Sequence, residues 1–358
     1  MKKFILLVSL AIVAITVQVK AQGVIALTTA NGQTTVYSLF ETALNHANNG
    51  DYIYLPGGTF KLVSDIKKAV TIIGAGHYPD STAYTNRTII EGDLNIGSGG
   101  SNALIEGLYV IGNIIFRPEQ KTENVTIRRC NINSISIGNN WGRVDSNRCF
   151  NPQFIHNIIR GSISFSESFG FLMKGNIIGG TAQECTYHGG NFENNIFLAV
   201  GENATFSNLR NITFKNNIFM NTQRLGYQGY GCYGLDGICG TYNCNFINNL
   251  FVGKDTTVNV IAMAALRTGN IFLADASSIF VKQSGTTFDY NHNYALKPTA
   301  PGKNAGDDGT DVGIYGSTNP YKTSALPSNP HISFKDIPAS TLPNGTIPLK
   351  IRVTAQDR

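Results

Sequence analysis

One short pattern, an apolar residue followed three positions later by asparagine and two more apolar residues, recurs down the middle of this chain and limits what it can fold into. It reads FIHNII from Phe154, MKGNII from Met173, FENNIF from Phe192, FKNNIF from Phe214 and FINNLF from Phe246. Shortened echoes follow at Gly269-Asn270-Ile271-Phe272 and Asn291-His292-Asn293-Tyr294. The asparagines Asn157, Asn176, Asn195, Asn217, Asn249, Asn270 and Asn293 are separated by 19, 19, 22, 32, 21 and 23 residues. A period near 20 with one oversized step is that of a stacked solenoid carrying a long insertion.

The units contain Val/Ile/Phe-rich runs of three to five residues broken by Gly, Asn and Ser. That is strand-and-turn punctuation, not the 3.6-residue period of helices. Asparagine tolerates the left-handed backbone that a sharp corner between strands needs. With coils stacked about 4.8 Å apart, the asparagines fall above one another and their amides can bond along the stack. Ahead of the repeats, Ser38-x-x-Glu41 reads as a capping box, and Leu39, Phe40, Ala43, Leu44 and Ala47 sit at helical spacing. Asn48-Asn49-Gly50 stops that helix, and Tyr52-Ile53-Tyr54-Leu55 begins a strand.

Residues 1–21 read as a secretory signal: Lys2-Lys3, an apolar stretch from Phe4 to Val17, then Val19-Lys20-Ala21. Its removal takes away three lysines and no acids, so the formal charge falls from +5 to +2. That balance argues against nucleic acid as a partner, and the mature chain has no stretch that reads as a transmembrane segment. Six cysteines in an exported chain permit disulfides, with Cys232 and Cys239 flanking a Gly-rich loop as the candidate pair. Cys130 and Cys185 lie beside strand-like runs and read as small core residues.

Three features carry candidate chemistry. The first is the column two positions before each asparagine: Ile155, Lys174, Glu193, Lys215 and Ile247. It points outward if the preceding residue points inward, and it stacks Lys174, Glu193 and Lys215 within pairing distance. It reads either as a stripe contacting an acidic sugar, with a lysine as base, or as a surface ion-pair ladder, the commoner outcome for exposed charges. The second is the insertion at 221–243, where Arg224, Tyr227, Tyr230 and Tyr233 are spaced by glycines. It reads as a binding loop or as a loop that packs its tyrosines on the coil. The third is the apolar pair after each asparagine, from Ile158-Ile159 to Ile271-Phe272. Neighbours on a strand face opposite ways, so one row faces outward unless the backbone bends locally, and it must then be covered, by the chain's own loops or by a partner. Gly306 to Asp311 holds three carboxylates, Asp307, Asp308 and Asp311. They are the one candidate for Ca2+, against the ordinary reading of Asp/Gly clusters as turns; no other cofactor is expected.

The repeat units, the opening segment VYSLFETALNHANNGDYIYLPGGTF from Val36 and the late DGTDVGIYG from Asp308 together resemble the right-handed parallel β-helix proteins of the pectate-lyase-like superfamily. More narrowly, they resemble the secreted β-helix proteins common in Bacteroidetes. The resemblance implies an all-β, single-stranded right-handed parallel β-helix of roughly ten coils, with an N-terminal cap helix and a C-terminal β cap. The expected division is a signal peptide over 1–21, cap helix and first strand over 22–60, the coil over 61–296, and a C-terminal loop and β cap over 297–358. The polygalacturonases of that superfamily carry Asn-Thr-Asp, Asp-Asp and Gly-His-Gly on successive coils. Here the single Asp-Asp is Asp307-Asp308, and Tyr187-His188-Gly189-Gly190 does not match. The fold hosts many activities. The expectation is an exported, non-catalytic binding or scaffold protein, periplasmic, at the cell surface or secreted. It would present one solenoid face and the Tyr-rich loop to a glycan or a cell-envelope protein. The competing expectation is a polysaccharide lyase or hydrolase acting on an acidic glycan.

Overall fold

The computed structural model describes residues 23–117, 121–138, 149–166, 168–180, 182–183, 188–198, 206–207, 210–220, 243–253, 265–273 and 275–355. Trp141, Cys185, the signal-like segment and most of the Tyr-rich insertion lie outside them.

Two long sheets and a shorter third one stack along the molecule, built by strands that return to the same sheet once per coil. Sheet A runs from Tyr52–Tyr54 to Leu266–Thr268, sheet B from Gly58–Lys61 to Ile271–Leu273, and sheet C from Leu94–Ile96 to Phe206–Ser207. Sheet B has ten strands, one per coil. Within these limits all pairings are parallel, and the register is strict: Phe154↔Met173, Met173↔Phe192, Phe192↔Phe214 and Phe214↔Phe246 sit directly opposite each other. The fold is a right-handed parallel β-helix.

The sequence signal works through the corner between sheets A and B. The ladder asparagines Asn157, Asn176, Asn195, Asn217 and Asn249 are buried there, and Asn270 at the end of the row is half-buried. The Asn195 carboxamide nitrogen donates to the Met173 carbonyl (2.8 Å) and to Asn217 Oδ1 (2.9 Å). Its own Oδ1 accepts the Asn176 backbone N–H and carboxamide, both at 2.9 Å. The chain of amides runs from Asn157 to Asn270, and Asn157 Oδ1 also takes the Cys130 N–H. Leu108 and Cys130 fill the same corner in the earlier coils, and both are buried. Cys130 is thus a core residue, its thiol pushed up to about 12 by burial. Two expectations are corrected. The left-handed residue is the one before the ladder asparagine, as at His156, Asn194, Asn216 and Asn248, not the ladder residue itself. Asn293 is not in the ladder; it lies in a hairpin strand, where its Oδ1 takes the Ala295 N–H.

Inside the coil the repeating aromatics form two stacks at strand spacing. Phe192, Phe214 and Phe246 stack at 4.9 and 4.7 Å, and Phe197, Phe219 and Phe251 at 4.8 and 4.7 Å. At the start, the helix Phe40–His46 buries Phe40, Ala43 and Leu44 against the first coil. Its capping box does not form. Leu39 is the N-cap, and the Glu41 carboxylate instead reaches across to the Val63 and Ser64 backbone N–H groups.

The apolar pairs divide as strand geometry requires. The second members Ile159, Ile178, Phe197, Phe219 and Phe251 join the interior core. The first members Ile177, Ile196, Ile218 and Leu250 face outward and form a second core with Phe280, Tyr294, Leu296, Val312, Ile314 and Tyr321. Residues beyond the last coil supply that cover. Phe280–Lys282 and Asn293–Leu296 form an antiparallel hairpin, and the chain then returns along the A/B corner towards its own beginning. Ala305 meets Asn248, Gly313 meets Asn216 and Asn194, Asn319 meets His156, and Ser328 meets Glu106. Gly313 (φ +82°) lies so close that a Cβ there would be 2.6 Å from Ile218. The expected C-terminal cap thus includes a long return segment on the flank of the coil, followed by a final antiparallel hairpin, His331–Asp336 with Lys350–Thr354.

Replacing Asn195 by Ala strands donors and acceptors in three coils. A loss of about 3 kcal/mol follows, against less than about 0.5 kcal/mol for the exposed Asn191→Ala. Denaturant midpoints of the two variants check the contrast.

Candidate functional site

The column expected on the outer face of sheet A exists in full register. Ile155, Lys174, Glu193, Lys215 and Ile247 are consecutive partners across five coils. Lys174 pairs with Glu193 at 3.6 Å, both side chains about a quarter exposed. Lys215 turns to Asp307 of the return segment at 3.2 Å. Asp307 also accepts from the Asn216 carboxamide at 2.8 Å, and its backbone N–H donates back to Asn216 Oδ1. Each lysine therefore faces a carboxylate. Exposed pairs of this kind contribute about 0–1 kcal/mol, so they order the surface more than they hold the fold. Arg224, Tyr227, Tyr230 and Tyr233, with Cys232 and Cys239, fall outside the described residues.

The column extends further than its sequence pattern. Glu106 pairs in register with Arg128, and Arg128 with Ile155. Glu106 is fully buried, yet its carboxylate holds Arg128 at 2.7 Å and Arg129 at 2.8 Å, and accepts the Ser328 N–H at 3.1 Å. A buried carboxylate is tolerated when so many donors converge on it. This cluster pins the far end of the return segment. It carries the same offset from the corner as Lys174, and the signal was hidden because Leu108 and Cys130 replace asparagine there.

Beside the charges runs a second outward column, Thr126, Gln153, Leu172, Asn191, Thr213 and Asn245, also in register. Asn191 is exposed and the others are half-buried. Asn245 reaches Thr213 at 3.4 Å, whereas the Gln153 and Asn191 side chains have no described hydrogen-bond partner. Two concavities, of about 480 and 210 Å3, are lined by residues of the first coils and of the C-terminal hairpin, none belonging to either column.

The three carboxylates of the Asp-rich loop point to different partners. Asp307 goes to Lys215 and Asn216, Asp308 to the Thr310 hydroxyl and N–H, and Asp311 to Lys303 and the Asn304 N–H. Among the described residues no group of three His, Cys, Asp or Glu side chains is placed to hold a metal.

One further cluster had no sequence signal, because its members come from distant segments. The Asn131 carboxamide donates to the Tyr290 hydroxyl at 2.8 Å, leaving the phenolic proton to face His77 Nδ1 at 3.2 Å. Burial, reinforced by Arg87, pushes the His77 pKa down to about 3; burial pushes Tyr290 up to about 12. The neighbouring Tyr109 ring carries the Arg87 and Arg160 guanidinium groups at 4.9 and 4.8 Å. Arg160 is committed to Tyr109 Oη and to the Val110 carbonyl. With His77 and Asn131 enclosed, the cluster anchors the hairpin rather than offering a site.

No family model matches the chain, and no curated protein does. Among solved structures, the chain is similar to a mutant of the PL6 family alginate lyase AlyGC, at 12% identity over 78% of this chain, with a TM-score of 0.26. The match spans 58% of that enzyme's chain.

Two buried histidines give the fold a pH dependence. His156, whose Nε2–H donates to the Asn319 carbonyl, is lowered to about 4, first by burial and then by Arg129. An unfolded chain protonates both imidazoles near 6.5, so between pH 6.5 and about 4 the unfolded state binds more protons. Stability therefore falls as pH falls through that window, by up to about 1.4 kcal/mol per pH unit for each histidine. Denaturation midpoints between pH 7 and 4.5 should show the slope, and His156→Gln should make it shallower.

Proposed function

We propose that this chain is an exported binding protein whose ligand is a glycan laid along the outer face of sheet A. The observation that carries this reading is the in-register column Thr126, Gln153, Leu172, Asn191, Thr213 and Asn245, polar at every coil except that of Leu172, on the sheet whose outer face the C-terminal segment only borders. Side-chain amides and hydroxyls repeated at strand spacing offer donors and acceptors along a line, which suits a polymer of hydroxylated units better than a compact ligand. The Lys174–Glu193 and Lys215–Asp307 pairs edge this face and give it charge of both signs. In the same reading Arg224, Tyr227, Tyr230 and Tyr233 of the insertion supply flat aromatic contact, a role resting on their sequence alone. A lysine acting as the base of a lyase needs to be free of a carboxylate at the reacting position, and here each lysine of the column has one within 4 Å.

Titration against a panel of neutral and uronic-acid polysaccharides tests the proposal. A glycan that binds should lose about fivefold to tenfold affinity with Gln153→Ala or Asn191→Ala, one hydrogen bond each. Binding unchanged in the double variant would remove the polar column from the account. Unsaturated products detected by ultraviolet absorbance, and lost on Lys215→Ala, would replace binding with lyase chemistry.

A further inference from the structure

The final hairpin carries an inference independent of the glycan reading. His331–Asp336 pairs with Lys350–Thr354, and the connection 337–349 contains no charged side chain. Ile337, Leu342, Ile347 and Leu349 are 47–59% exposed on it, and Ile351 and Val353 on the following strand are 52% and 59% exposed. These are six of the sixteen exposed large hydrophobics among the described residues. A two-stranded ribbon is marginal by itself, and apolar side chains concentrated at one end of a molecule mark a contact.

Three observations select the kind of contact. First, the connection satisfies part of its own polarity. The Leu342 N–H donates to the Thr346 carbonyl and the Gly345 N–H to the Leu342 carbonyl, both at 2.8 Å. Asn344 Oδ1 accepts the Thr346 N–H at 3.1 Å and its hydroxyl at 2.7 Å. Pro338, Pro343 and Pro348 have no N–H to satisfy. The N–H groups of Leu342, Gly345 and Thr346 and the three prolines thus need no water, which eases entry of the tip into the hydrated headgroup region rather than the hydrocarbon core. Second, the charges flank the connection at the strand ends it joins: Lys335, Lys350 and Arg352 against Asp336 alone. Third, Ala, Ser, Thr and Asn separate the apolar side chains. A fluid interface accepts apolar side chains interspersed in this way, because it imposes no shape. Phe334, with Arg352 over its ring at 6.0 Å, packs on Tyr84 at 5.3 Å and ties the hairpin to the coil.

We infer that the C-terminal hairpin is a lipid-surface anchor. Its uncharged tip 337–349 enters the interface of an anionic bilayer while Lys335, Lys350 and Arg352 remain among the headgroups. The solenoid is then held at the membrane by one end.

Co-sedimentation of the purified chain with vesicles tests this. Vesicles of equal phosphatidylglycerol and phosphatidylcholine should bind at least tenfold more tightly than pure phosphatidylcholine, and the difference should shrink in high salt. Leu342→Asp with Ile347→Asp should abolish binding, and Lys350→Glu with Arg352→Glu should abolish the preference for anionic lipid. Both double variants lie outside the coil and should leave its thermal unfolding unchanged. Absence of vesicle binding overturns the inference, as does binding indifferent to Leu342→Asp with Ile347→Asp. A solution dimer that those two substitutions dissociate would assign the surface to a second copy of the chain instead.

Discussion

A buried carboxamide that must satisfy two donors and an acceptor in the dark interior of a corner is the constraint on which the rest of this molecule rests. Asn157, Asn176, Asn195, Asn217, Asn249 and Asn270 meet it by bonding to one another and to the carbonyl of the coil beneath. A shift of one residue in any strand would leave an amide unpaired in a low-dielectric setting, a cost of about 1–3 kcal/mol for each group. The same corner fixes which residues face in and which face out. The phenylalanine stacks, the charged column and the polar column are therefore consequences of one repeated bond pattern.

That pattern also creates a problem at its edge. Beyond each corner, Ile177, Ile196, Ile218 and Leu250 are forced to the outer face of sheet B, and an apolar row of that length cannot remain in water. The chain answers by folding its last segment back along the corner. The polar contacts that guide the return use the left-handed residues, whose side chains stand free of the ladder: Asn248, Asn216, Asn194 and His156. The functional surface is shaped by this route. Lys215 acquires Asp307 because the return segment passes beside it, and Glu106 is sealed by Arg128, Arg129 and Ser328 where the segment ends its descent.

The solenoid and its ladder were legible because a period near 20 is a direct print of one coil on the sequence, and because the inward phenylalanines repeat with it. The outward facing of Lys174, Glu193 and Lys215 followed from strand alternation alone. Glu106 and Arg128 belong to the same column but escaped, since their coils place Leu108 and Cys130 where the repeat has asparagine. The partners of the outward isoleucines escaped for a different reason. Val312, Ile314 and Tyr321 lie in a Gly/Pro/Asp-rich stretch with no period of its own, and nothing local encodes which distant surface it will cover. Tyr290 on Asn131 and His77 is the same case, with contacts across 159 and 213 residues.

Hydrogen exchange followed residue by residue tests the central claim most directly, because the backbone N–H of each ladder asparagine from Asn157 to Asn249 is held by the next asparagine's Oδ1. The account predicts that Asn157, Asn176, Asn195, Asn217 and Asn249 exchange together and only through opening of the whole coil, with Gly313 and Tyr321 of the return segment among the protected amides. Ladder amides that exchange one by one, at rates like those of the C-terminal hairpin, would contradict it.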